Sequence, residues 1–212
     1  MQAKNILQVF QVLAEDNPQP TTELKYNSTF ELLIAVVLSA QATDISVNKA
    51  TARLFIIANT PKQFLALGVE GLEGYIKSIG LYKTKARNII GLCQKLITEY
   101  GEQVPNDYSS LISLPGVGRK TANVVLNTAF FVPTIAVDTH IFRVSRRLGL
   151  SLGENVLQVE KDLNRVVPQQ YKQNAHHWLI LHGRYVCKAR KPLCSECKLN
   201  AYCAYFREND TK

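Results

Sequence analysis

The sequence predicts an all-α protein, and three observations carry that expectation. Apolar residues recur at spacings of three and four, as in Ala86, Ile89, Ile90, Cys93, Leu96 and Ile97. No segment alternates apolar and polar residues as a half-buried strand would, and no Asn-Gly hairpin signal occurs. Helix boundaries are also punctuated: Asn17-Pro18-Gln19-Pro20 closes one periodic stretch, and Thr60-Pro61 opens another.

Each element follows in chain order. Ile6, Leu7, Phe10 and Leu13 mark one face of a first helix that stops before Asn17. The stretch 30–40 reads as a largely buried helix, and 46–57 as an amphipathic one. Thr60 is an expected N-cap, with Pro61 at the first helical position, where its missing N–H costs nothing. The stretch 83–100 forms a long helix with a basic entry at Lys83, Lys85 and Arg87. Two further helices meet at Pro115-Gly116-Val117-Gly118, the second carrying 121–130. The stretches 139–148, 156–166 and 175–185 complete the set. There is no long linker, so two domains, if present, pack closely.

A chain of 212 residues with 46% hydrophobic content can fill one large or two small cores. The 25 Lys and Arg against 17 Asp and Glu give a net charge of +8, which favours a polyanionic partner. Charge alone suits ribosomal and membrane-surface proteins equally. Residues 1–15 hold one Lys and no long apolar run, unlike a signal peptide. The longest apolar run, Leu32–Leu38, is far too short to span a bilayer. A cytoplasmic location without membrane partners is expected, where five cysteines serve as thiols or ligands rather than disulfides.

The most informative stretch is Leu114-Pro115-Gly116-Val117-Gly118-Arg119-Lys120-Thr121-Ala122. Two glycines one residue apart permit a tight turn that leaves backbone N–H groups uncovered. The next helix starts at once, and its dipole favours an anion at that end. Such a turn can grip a DNA phosphate without reading sequence, although an ordinary helix–helix turn has the same glycines. Arg119 between Gly118 and Lys120 excludes a Walker loop, and Thr121 stands where a dinucleotide-binding loop needs its third glycine.

The whole string resembles the helix-hairpin-helix of the endonuclease III family of DNA glycosylases. Three other segments extend the resemblance to essentially the full chain: Phe30–Asp44, Val137–Arg143, and the cysteine-rich carboxyl end. It implies two helical domains with a DNA groove between them. Residues 21–132 would form a six-helix barrel carrying the hairpin, and residues 1–20 with 133–212 a helical domain holding an iron–sulfur cluster. The partner implied is damaged double-stranded DNA, bound by a monomer.

Read from the residues alone, Lys120 is a surface lysine contacting phosphate and Asp138 an N-cap. The resemblance makes both catalytic. Lys120 would sit in the first turn of the second hairpin helix, where the dipole and apolar neighbours disfavour the ammonium form. The neutral amine would attack the sugar C1′, displace the base and form a Schiff base, and β-elimination would then break the strand on the 3′ side. Asp138 would stabilise cationic character at the sugar.

A base inside a duplex is out of reach, so the enzyme must extrude it and fill the gap. The resemblance assigns that task to Gln41 and Leu81, although a leucine beside a turn is more commonly core. Gly116, Val117, Gly118 and Arg119 would bind the backbone of DNA. Asp44 and His140 match residues near the family's pocket, with a helix cap and a structural hydrogen-bonding group as their ordinary alternatives.

Cys187, Cys194, Cys197 and Cys203 have the spacing C-x6-C-x2-C-x5-C. Four thiolates so close suit zinc or an iron–sulfur cluster, and spacing alone barely separates them. A zinc deaminase fits poorly, because no His-x-Glu occurs. The resemblance implies a [4Fe–4S] cluster. Lys188, Arg190 and Lys191 lie between the first two cysteines and would form a clamped basic loop facing phosphate, against the alternative of a solvated loop. Cys93 falls on an apolar helix face and reads as core.

The reading is a bifunctional glycosylase and abasic-site lyase that removes oxidised pyrimidines. A mismatch adenine glycosylase shares most of these motifs, but Lys120 and the lack of sequence for a further domain after the cysteines argue against it. A DNA-binding protein without catalysis is the rival from another class.

Overall fold

The computed structural model describes residues 1–210, and its elements are helices with no strand among the described residues. In order they are α1 (Ala3–Asp16), α2 (Thr29–Ser39), α3 (Asp44–Ile57), α4 (Pro61–Ile76), α5 (Tyr82–Tyr100), α6 (Tyr108–Ile112), α7 (Arg119–Phe130), α8 (Thr139–Leu148), α9 (Val156–Val166), α10 (Lys172–Tyr185) and α11 (Ala204–Asp210). The chain divides into two units: Thr22–Phe131, and Met1–Thr21 with the described residues from Val132 onward.

The first unit is built on α2. Its N-terminus is closed reciprocally: the Ser28 hydroxyl accepts from the Glu31 amide at 3.1 Å, and the Glu31 carboxylate accepts from the Asn27 amide at 2.6 Å. Every residue from Phe30 to Leu38 is buried, because α3, α5 and α7 pack around this helix. α3 starts at Asp44, two residues ahead of the apolar pattern, since the Thr43 hydroxyl accepts from the Ser46 amide at 3.2 Å. The Thr60 hydroxyl likewise accepts from the Gln63 amide at 3.3 Å and opens α4, which kinks at Gly68. α5 buries Lys85, Ala86, Ile89, Leu92, Cys93 and Leu96, one stripe at helical spacing. Burial pushes the Cys93 thiol up to about 12, so it is an inert core residue.

The second unit packs α1 and α8–α11 around their own core. α1 buries Ile6, Val9, Phe10 and Leu13, whereas Leu7 is 40% exposed. The expected stripe therefore holds Val9 in place of Leu7, which lies one residue round the helix from Ile6. Trp178 of α10 donates its indole N–H to the Asn17 carbonyl at 2.8 Å, fixing the chain as it leaves α1. α10 begins at Lys172, earlier than apolar spacing indicates, because the turn Gln169–Tyr171 after Pro168 already winds the chain.

Candidate functional site

In the first unit, α6 and α7 are joined by a short turn that closes with the Val117 amide bonded to the Leu114 carbonyl at 3.0 Å. The two glycines do different work. Gly116 has φ +78°, and a Cβ there would lie 2.9 Å from the Asn88 Cβ of α5, so both conformation and packing require glycine. Gly118 is extended (φ −95°, ψ 178°), and a Cβ there would meet no atom within 4 Å. Its bareness leaves room beside the N-terminus of α7 for something outside the unit. Arg119 donates to the Tyr108 hydroxyl at 3.3 Å, and Lys120 is exposed in the first turn of α7. On the other side, Asp107 caps α6; hydrogen bonds from the Ser109 hydroxyl and the Ser110 amide lower its carboxyl to about 2.

A second place in this unit brings Gln41 and Leu81 into view. Both hold left-handed backbone, with φ 56° and 60°, a costly conformation for residues other than glycine. Leu81 is 62% exposed, which rules out a core role, and Gln41 is exposed on the turn that follows α2. Their segments meet: a Cβ on Gly80 would lie 3.9 Å from the Gln41 carbonyl oxygen.

Sequence reasoning misassigned Lys85, which it grouped with the basic entry of α5. The side chain is 6% exposed and turned inward. Its ammonium donates to the carbonyls of Leu38 at 2.9 Å and Ala40 at 2.6 Å. Burial lowers its affinity for the proton. The signal was present, since 85, 89, 92 and 96 share one helical face with the core.

In the second unit, Asp138 caps α8, its Oδ1 accepting from the Ile141 amide at 2.8 Å. His140 Nδ1 lies 3.2 Å from Arg143 Nη2, and Arg143 reaches the carbonyls of Cys187 at 3.0 Å and Gly183 at 2.8 Å. Asp44, in the other unit, is the first residue of α3, and the capping hydroxyl is that of Thr43.

Cys187, Cys194, Cys197 and Cys203 line one cavity, together with apolar side chains such as Leu148 and Phe206 and with His182 and Asn200. Among the described residues no group of His, Cys, Asp or Glu suits a single metal ion. Burial, joined by the proximity of the other sulfurs, pushes the Cys197 and Cys203 thiols up. Four bare thiolates there would repel one another, so the set suits a cationic iron–sulfur core that accepts them together. Arg147 braces this end, its guanidinium 3.5 Å from the Cys187 sulfur and 4.6 Å from the Tyr205 ring centroid. It also donates to the carbonyls of Lys188 at 2.7 Å and Ala189 at 3.1 Å. The loop backbone is thereby held while Lys188, Arg190 and Lys191 stay exposed.

Residues 34–169 match the HhH-GPD superfamily of base excision DNA repair proteins, and residues 187–203 match the iron-sulfur binding domain of endonuclease III. The chain is 60% identical over 204 residues to endonuclease III of Escherichia coli (strain K12), covering 96% of this chain and 97% of that protein. It is 57% identical over 206 residues to endonuclease III of Rickettsia prowazekii (strain Madrid E), covering 97% of each. Its fold is similar to that of a non-covalent endonuclease III–DNA complex, with TM-score 0.92 at 48% identity over 100% of both chains. A trapped covalent endonuclease III–DNA intermediate gives TM-score 0.91 at 48% identity over 98% of both.

Proposed function

Since this chain belongs to the endonuclease III family of base excision repair proteins, we propose that it removes oxidised pyrimidines and cuts the strand through a single lysine intermediate. The protein is a DNA glycosylase and abasic-site lyase that acts on DNA and carries a [4Fe–4S] cluster. No helix among the described residues is long and apolar enough to cross a membrane. The observation that carries the finer reading is the exposed Lys120 in the first turn of α7, directly after the Gly116–Gly118 turn.

The chemistry proceeds in two stages. The neutral Lys120 amine bonds to the sugar C1′ as the C1′–N bond to the damaged base breaks, the base leaving with the electron pair. The proton lost from nitrogen passes to O4′ as the C1′–O4′ bond breaks, giving a cationic Schiff base, while the departed base takes its proton from water. That cationic imine acidifies the C2′ proton, whose removal expels the 3′ phosphate by β-elimination. Asp138 supplies the carboxylate that stabilises positive charge at the sugar. Asp44 and His140 are read as pocket residues.

Gln41 hydrogen-bonds the orphaned base and Leu81 replaces lost stacking, which suits an exposed amide and an exposed apolar side chain on adjoining turns. Gly116, Val117, Gly118 and Arg119 seat a phosphate at the start of α7. Cys187, Cys194, Cys197 and Cys203 hold the cluster, whose part is structural: it fixes the loop bearing Lys188, Arg190 and Lys191 for backbone contact. The working form is taken to be a cytoplasmic monomer.

Incubation with a duplex containing thymine glycol tests this. Base release with strand cleavage and a borohydride-trapped adduct is expected. Lys120→Gln should bind the duplex yet give no adduct; trapping at the normal rate would remove Lys120 as nucleophile. Base release without cleavage would mark a monofunctional glycosylase, and binding without turnover a DNA-binding protein alone.

A further inference from the structure

We propose that Lys85 is a positioning residue for base extrusion: it locks the turns bearing Gln41 and Leu81 into one rigid unit. The proposal rests on the gap-filling reading of those two residues.

The geometry runs through one residue in both directions. The Lys85 amide donates to the Leu81 carbonyl at 3.0 Å, forming the first hydrogen-bonded turn of α5. Its ammonium donates to the Leu38 and Ala40 carbonyls at the end of α2. Ala40 directly precedes Gln41, and the Ala42 amide closes the same turn on the Ser39 carbonyl at 3.0 Å. One residue therefore contacts the peptide unit joining Ala40 to Gln41 and the carbonyl of Leu81.

The α2 C-terminus needs such a partner. It ends without a glycine and without a basic residue of its own, leaving carbonyls that a helix cannot satisfy internally. A cation at that end also meets the negative pole of the helix. Charge-assisted bonds from a buried ammonium are stronger than neutral ones, and the 6% exposure of Lys85 keeps water from replacing them.

The two turns are also strained. Gln41 and Leu81 both hold positive φ, which persists only where surrounding contacts over-determine it. Gln41 is held locally by the Ala42 amide on the Ser39 carbonyl, while α5 opens at Leu81 without a side-chain cap. Lys85 spans both. Without it, the amide and the wedge would sample separate conformations and have to be ordered during extrusion.

The test is a cycle on the cluster-bearing full chain, using single-turnover base release from a duplex with thymine glycol. A 2-aminopurine opposite the lesion reports loss of stacking. The variants are Lys85→Met, the pair Gln41→Ala with Leu81→Ala, and all three together. Lys85→Met should slow base release by about tenfold or more and weaken the 2-aminopurine signal. In the Gln41→Ala/Leu81→Ala background it should cost less than about twofold, since the residues it positions are gone.

A Lys85→Met rate equal to the parent overturns the positioning role, as does a loss that multiplies with that of the pair. If Gln41→Ala/Leu81→Ala is itself as fast as the parent with an unchanged 2-aminopurine signal, the gap-filling reading fails and the positioning role falls with it. Should Lys85→Met not fold by circular dichroism, Lys85→Leu, which also lacks a donor, is scored by the same criteria.

Discussion

Asp138 Oδ1 accepts a hydrogen bond from the Ile141 amide at 2.8 Å, so the carboxylate read as catalytic also closes the N-terminus of α8. Cap and chemistry are separable. An asparagine caps as well as aspartate but carries no charge, whereas alanine does neither. Asp138→Asn should unfold at nearly the parent temperature, and Asp138→Ala should lose about 1 kcal/mol of stability. Both should slow base release by more than about 100-fold. Full activity in Asp138→Asn, measured beside thermal unfolding, would leave the residue with its cap alone.

The hairpin glycines predict opposite outcomes. Gly116→Ala forces an L-residue to φ +78° and drives a methyl against Asn88, 2.9 Å away. It should cost about 1–2 kcal/mol of stability or more. Gly118→Ala meets nothing within the protein, so its stability should change by less than about 0.5 kcal/mol. On the proposed seating of a phosphate at this turn, its affinity for duplex should fall nevertheless. Paired unfolding and DNA titrations check both halves.

The basic loop predicts a change in salt dependence. Arg147 holds the carbonyls of Lys188 and Ala189, so the loop backbone is set before DNA arrives. Replacing Lys188, Arg190 and Lys191 with glutamine should weaken binding to all sequences alike. The slope of log affinity against log salt should become shallower by about one for each lost phosphate contact. An unchanged slope would assign these cations to solvent.

Stability should fall in mild acid. Burial holds the His177 imidazole at about 4, below its ordinary value near 6.5. Above pH 6.5 the ring is neutral whether folded or unfolded. Between 6.5 and 4 the unfolded chain takes up a proton that the folded one refuses, so folding weakens as pH drops. The loss approaches a magnitude on the order of 3 kcal/mol below pH 4. Denaturant titrations across this range should show a shallower decline for His177→Gln. Part of the slope should remain, because His182 is also held near 4, chiefly by burial.

Much of this site is local in origin and so could be read from the chain. Thr60 and Asp138 announce their caps by residue type beside a periodic stretch, and both accept the expected amide. The ends of α8 and α9 follow from spacing alone. The adjoining Gly116 and Gly118 announce a turn, and four cysteines within one short segment announce a shared centre. These signals act within a few residues, over which sequence distance and spatial distance nearly agree.

Other features depend on what lies opposite, which sequence cannot display. Lys85 and Lys83 look alike in the chain, yet one is buried against carbonyls 45 and 47 residues away and the other is exposed. Gly116 and Gly118 are the same residue type, and only Asn88 beside the first separates a packing requirement from an open approach. Thr43 caps α3 while Asp44 is already its first helical residue, a one-residue difference that two neighbouring cap-forming residue types do not display. The chain by itself determined most of the helices, the caps at Thr60 and Asp138, and the chemical groups available. Tertiary structure decided which cations stay in water and which satisfy the backbone, because desolvation and an opposing carbonyl come only from distant segments.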